Sequence, residues 1–256
     1  MPNQSVIEWS AWAASAPGRY VLAWEQAQLD RLVSDIFGYY ALQLGLPQLD
    51  ALRENRMPSR AVVLNAELDL TRAAEFAEYS CIWCELPELP FASQSIDLLI
   101  LPHTLELTCD PHRLLREAER VLLPEGQLVI LGFNTMSLWG ARQALGRLTK
   151  QSFVPAARKL IAFPRLKDWL KLLGFELNRG RFGCYQPPFG SEQWLTRFAC
   201  IEQAGDRWWP VLGAVYMITA IKRVRGMRLI GAAQRTSPAL APTLPPVATS
   251  QTQRRK

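Results

Sequence analysis

Residues 89–134 read LPFASQSIDLLILPHTLELTCDPHRLLREAERVLLPEGQLVILGFN, and this stretch decides the fold. Ile96–Leu101 is a short, almost unbroken apolar run preceded by Ala, Ser and Gln, the pattern of a strand buried on both faces. In DPHRLLREAERVLL, Asp110 is placed to cap a helix and Pro111 to begin it, with Glu117 and Arg120 on the polar face. The helix runs out at Pro124-Glu125-Gly126, a turn that feeds a second apolar run, Gln127–Gly132. Strand, helix and strand at this spacing predict a parallel crossover, the unit of an α/β sheet.

The rest of the chain extends that unit. Strand-like runs precede it at Tyr40–Leu44, Ala61–Leu64 and Cys81–Cys84. A helix is expected over residues 17–37, where Val21, Trp24, Leu29, Leu32, Val33 and Ile36 recur at helical spacing. In YYALQLGLPQLD, residues 39–50, the first strand is expected to turn at Gly45 into a helix with Pro47 in its first turn. After Phe133 residues 137–173 read mostly as helix, an insert carrying Trp139, Trp169 and Leu170 that is expected to cover the sheet's crevice. Two further strands follow, Glu176–Arg181 and Val215–Arg223. The expected fold class is a Rossmann-like α/β fold with a mostly parallel seven-stranded sheet, an antiparallel last strand and helices on both faces. The expected organisation is an N-terminal helical segment (1–38), a main domain (39–228) and a Pro/Ala-rich basic tail (229–256) too poor in apolar residues to build a core.

The net charge of +6 is unevenly placed. Eight Lys or Arg and no acid lie from Lys222 onward, leaving 21 basic against 23 acidic groups in residues 1–221. A nearly neutral body argues against a large nucleic-acid footprint, and any such contact is expected through the tail alone. No apolar run approaches the roughly 18 residues that would span a bilayer. The opening MPNQSVIEWSAW lacks a basic segment followed by an apolar core, so the expected location is cytoplasmic. Five cysteines suit free thiols in a reducing compartment. Cys81 and Cys84 form a C-x-x-C, but within a strand-like run, whereas a redox pair needs a helix N-terminus and a zinc site needs two more ligands.

Leu89-Pro90-Phe91, Asp97, Arg116-Glu117, Arg120-Val121-Leu122, Pro124 and Gly126, in that order, closely resemble the centre of class I S-adenosylmethionine-dependent methyltransferases of the broad small-molecule type. The continuation GFNTMSLWGAR and the opening PGRYVLAWEQ look like a narrower bacterial branch, which extends the resemblance over residues 15–228. The resemblance implies S-adenosylmethionine as cofactor and an unidentified methyl acceptor, expected to be a small molecule. It implies cofactor contacts at the turn Gly45-Leu46, at Asn65 or Glu67 for the ribose hydroxyls, at Glu85 with Leu86 for the adenine, and at Pro102 for the methionine part. His103 and Glu106 are the titratable candidates for proton transfer. The turn after the first strand keeps one glycine where the family has two or three, and Leu46 and Leu49 add side chains where space is usually open. Two function classes therefore stand: a methyltransferase with an altered cofactor turn, and a methyltransferase-fold binding or regulatory module without catalysis.

Overall fold

The computed structural model describes residues 3–65, 79–148, 153–155, 160–188, 197 and 200–224. Glu67, residues 156–159 and everything from Arg225 onward lie outside them, as does the side chain of Asn65. The described strands are β1 (Tyr40–Leu44), β2 (Ser59–Asn65), β3 (Ser80–Cys84), β4 (Ile96–Pro102), β5 (Leu122–Phe133), β6 (Phe175–Gly183) and β7 (Val215–Lys222). They form one seven-stranded sheet in the order β3-β2-β1-β4-β5-β7-β6. The first five strands pair in parallel. β7 is antiparallel to both β5 and β6. The order reverses between β1 and β4, and open α/β sheets bind ligands beyond the strand ends at such a point.

The described helices are α1 (Asn3–Ala14), α2 (Ala16–Val33), α3 (Thr104–Leu107), α4 (Pro111–Val121), α5 (Leu138–Leu148), α6 (Phe163–Leu172) and α7 (Cys200–Trp208). Along β4 the apolar residues alternate between two cores, so helices must cover both faces of the sheet. Leu98 and Ile100 meet Trp9, Val21, Leu29 and Val33 of α1 and α2. Leu99 and Leu101 meet Leu114, Leu115 and Ala118 of α4 and Leu166 and Leu170 of α6. Asp110 caps α4 as the sequence implies, accepting from the Arg113 amide at 3.0 Å.

Several expectations change. Within the expected helical segment 1–38, α1 forms a separate helix before α2 and carries Trp9, 1% exposed, onto the ends of the strands. The segment 137–173 is not one cover. α5 begins just after the end of β5, where Trp139 is buried and donates to the Gln186 carbonyl at 2.7 Å. α6 instead lies along the opposite face, where Trp169 packs at 3.7 Å between ring centroids on His112 and Leu170 enters the second core. Trp208 and Trp209 are exposed. Asp97 sits where its charge ties two strand entries together: its carboxylate accepts the Tyr39 and Tyr40 amides at 2.9 and 3.0 Å. Glu117 and Arg120 are more than a surface pair. Glu117 accepts from the Leu89 amide, and Arg120 donates to the carbonyls of Leu89 and Phe91, so the Leu-Pro-Phe loop is held by the α4 ion pair.

Cys81 and Cys84 occupy opposite faces of β3, one packed on each core, because residues three apart on a strand point in opposite directions. They cannot act as a chelating or redox pair, and no group of three metal-ligating side chains exists among the described residues. Of the eight C-terminal basic residues, Lys222 and Arg223 are described, and both are held in ion pairs with acids of the body. No described helix is long and apolar enough to cross a membrane.

Candidate functional site

The turn after β1 is the first component. Gly45 has φ +72° and Leu46 φ +48°, two left-handed residues in succession. A Cβ on Gly45 would touch nothing closer than Thr104 at 3.8 Å, so glycine serves the backbone angle there rather than the space. The expected helix is absent: residues 45–58 are turns and bends, and Pro47 starts no helix. Side chains supply the hydrogen bonds that a helix would have made internally. Gln43, fully buried within β1, donates through Nε2 to the carbonyls of Gly45, Leu46 and Leu49 at 3.2, 3.2 and 2.7 Å. Its Oε1 accepts from the Ala51 amide at 2.9 Å. Gln26 of α2 pairs with both backbone groups of Asp50, and Arg60 reaches the carbonyls of Leu52 and Asn55. Leu46 and Leu49 are 4% and 1% exposed because they point into the core beneath α2. The side chains expected to crowd the crevice are withdrawn from it.

The second component is the end of β4. Pro102 is buried and closes the ladder with β5. His103 follows in a left-handed conformation, φ 52°, which turns the chain into α3 and aims the imidazole under α1. Thr104 donates to the Leu44 carbonyl at 2.6 Å and so clamps this bend to β1. His103 is completely buried, with Nδ1 2.9 Å from Glu106 and Nε2 2.7 Å from Glu25 of α2. Glu106 also accepts the Phe133 amide at 2.7 Å. Trp9 stands edge-on to the imidazole at 5.1 Å and Phe133 lies at 4.4 Å. Burial by itself would lower the histidine's pKa. The charges of Glu25 and Glu106 and their hydrogen bonds outweigh it and push the pKa up to about 10. The cluster therefore holds an imidazolium between two carboxylates at neutral pH.

The third component is the loop after β3. Glu85 is exposed, and among the described residues its carboxylate has no partner; Leu86 beside it is half-buried. Asn65 ends β2 next to Cys84, at the register where the ribose carboxylate is expected. Glu67 lies outside the described residues. The structure thus brings Gly45, Leu46, Pro102, His103 and Glu106 together at the switch point, with Glu85 and Leu86 at the end of the sheet's edge strand. His103 and Glu106 reach it as buried, fully engaged side chains.

Sequence reasoning missed four residues. Glu25 falls on the buried period-four stripe Val21, Glu25, Leu29, Val33, and an acid on such a stripe is the signal that was available. Gln43, a lone amide inside an apolar strand run, was a second such signal. Trp9 and Trp12, one turn apart, marked α1.

A methyltransferase domain model matches residues 55–130. The uncharacterised protein YafS of Escherichia coli K12 is 33% identical over 221 residues, covering 86% of this chain and 83% of YafS. The chain belongs to one family with YafS, and its residues 55–130 match a methyltransferase domain. An S-adenosylmethionine-dependent methyltransferase of Thermotoga maritima superposes with a TM-score of 0.62 at 16% identity, covering 86% of this chain and 97% of that one. Another from Mesorhizobium loti gives 0.55 at 16% identity, over 82% and 99%. The [4+2]-cyclase SpnF gives 0.54 at 18% identity, over 78% and 80%. At these identities the likeness is one of fold, and a cyclase on that fold means the reaction must be argued from the site.

The methyltransferase domain implies an S-adenosylmethionine site, and the described residues fit one. The first turn has the left-handed glycine and no intruding side chain. The loop after β3 offers an unpaired carboxylate next to an apolar side chain, the combination that suits an adenine ring.

Proposed function

We propose that this protein is an S-adenosylmethionine-dependent methyltransferase acting on a small-molecule acceptor. The observation that carries the reading is the withdrawal of Leu46 and Leu49 into the core: the glycine-poor turn stays open although it is bulky in sequence. In this reading Gly45, Leu46 and Pro102 hold the methionine part, Asn65 and Glu67 the ribose, and Glu85 with Leu86 the adenine. The bound cofactor supplies an electrophilic methyl group, and the chain supplies orientation and a dry site. His103 and Glu106 act by charge and position, because both imidazole nitrogens and both Glu106 oxygens are already engaged. An acceptor that is nucleophilic as it arrives needs no base.

Calorimetric titration of S-adenosylmethionine and S-adenosylhomocysteine into the protein, and into Glu85→Ala, tests this. Micromolar binding weakened tenfold or more by the substitution supports it. No detectable heat at millimolar ligand with the protein folded would overturn it and leave the non-catalytic binding module.

A further inference from the structure

Charge bookkeeping at the end of β4 does not balance. Glu25 and Glu106 are 0% and 2% exposed, and His103 between them is completely buried. Each imidazole nitrogen serves one carboxylate, so one positive charge stands against two negative ones. No lysine or arginine pairs with either acid among the described residues. The neighbouring groups acting on the cluster, Cys184 beside Glu25 and Tyr216 beside Glu106, are both pushed up by burial and stay neutral. One oxygen of Glu25, Oε2, is buried with no hydrogen-bond partner, and the Trp9 indole N–H above the cluster does not reach it.

An unpaired carboxylate oxygen in a sealed apolar setting is costly, since both desolvation and net charge go uncompensated. Nearby secondary structure adds to the cost, because His103 is held in a left-handed conformation to reach both acids. Such an arrangement makes physical sense if a cation arrives beside it. The cluster stands within one residue of Thr104, whose side chain faces Gly45 and is bonded to the Leu44 carbonyl, so it backs the turn assigned above to the methionine part.

We propose that Glu25, His103 and Glu106 form a built-in countercharge that favours the cationic sulfonium of S-adenosylmethionine over the neutral thioether of S-adenosylhomocysteine. This rests on the cofactor reading above. Glu25 is then a positioning residue for charge: it touches no ligand and acts through the net −1 it leaves in the cluster. The device would pull the methyl donor in and let the demethylated product go, since transfer of the methyl group removes the positive charge the cluster attracts.

Paired titrations of the two ligands into wild type, Glu25→Gln and Glu25→Asp separate charge from packing. Glu25→Gln keeps the shape and removes one negative charge. It should weaken S-adenosylmethionine about tenfold, the order of effect that one partly screened charge exerts on another, and change S-adenosylhomocysteine less than twofold. Glu25→Asp keeps the charge at the expense of the His103 contact and should leave the ratio of the two affinities within threefold of wild type. Should Glu25→Gln fail to fold, Glu106→Gln removes the same charge from the other side and carries the same expectation. Equal weakening of both ligands by the charge-removing variant would assign the cluster a structural role and overturn this inference alone. Absence of binding of either ligand to wild type would overturn the cofactor reading, and this inference with it.

Discussion

Replacing Gln43 should unfasten the turn after β1 more than any single loop residue. Its amide meets three carbonyls and one N–H within Gly45–Ala51, and all of this lies in the buried core. Gln43→Leu preserves volume while deleting every polar contact. The Ala51 amide is then left buried without an acceptor, at about 1–3 kcal/mol, and two or more carbonyls lose a donor at about 0.5–1.5 kcal/mol each. The sum is about 2–6 kcal/mol, a large fraction of the roughly 5–15 kcal/mol typical of a folded domain. Urea unfolding reads it directly as a lower midpoint with an unchanged slope, and a thermal melt should fall by roughly 10 °C. A cost under about 1 kcal/mol would refute the claim that side-chain hydrogen bonds replace the missing helix. The turn would then owe its shape to Leu46 and Leu49 packing alone.

Other perturbations follow from the same geometry. The His103 pKa of about 10 lies above the unfolded value near 6.5, so its stabilisation is complete below pH 6.5 and is lost as pH rises through 10. Unfolding free energy should fall by up to about 1.4 kcal/mol per pH unit between pH 7 and 9.5 in urea titrations, and this slope should vanish in His103→Gln. Gly132→Ala would put a Cβ 2.6 Å from the Tyr216 hydroxyl and 3.1 Å from Glu106, so a melt should show overpacking of about 1–3 kcal/mol. Arg120→Ala should free the Leu89–Phe91 loop, seen as faster amide exchange at residues 89–91 with little change in the core strands. Asp97→Ala removes a charged acceptor from two amides where β1 begins and should cost about 2–4 kcal/mol in the same urea assay.

The central strands were legible as short apolar runs, and six of the seven lie within two residues of their expected spans; β6 is mostly exposed, and β5 begins five residues early at Leu122, taking in the turn expected at Pro124-Glu125-Gly126. α4 was legible from Asp110 and Pro111, whose capping roles depend only on local sequence. The turn after β1 was not. A helix there was the natural reading of Gly45 and Pro47, and it lost to hydrogen bonds from Gln43, Gln26 and Arg60. The last two lie 24 residues before and eight residues after the backbone they serve, beyond the reach of a local pattern. His103 and Glu106 were correctly placed at the strand end, yet their burial depends on α1 and α2 folding back over them. That contact joins Glu25 to His103 across 78 positions.

The turn and the buried cluster answer one physical problem from two sides. A glycine-rich turn offers a ligand bare backbone amides, and here the Gly45 amide is spent on the Val63 carbonyl at 2.7 Å while the carbonyls of the loop are spent on Gln43. A site built this way has fewer main-chain donors to give the donor's methionine part, so affinity must come from elsewhere. Charge is the available substitute, because it acts through a packed wall without needing the backbone to approach. A net −1 held rigidly by three buried side chains and two aromatic rings reorganises little when a cation binds, which makes it an efficient source of selectivity. On that argument the loss of glycines after β1 and the presence of an acid at Glu25 on the buried stripe of α2 are coupled features. Restoring glycine at Leu46, with its φ already at +48°, should then relieve the turn without restoring the charge preference lost in Glu25→Gln.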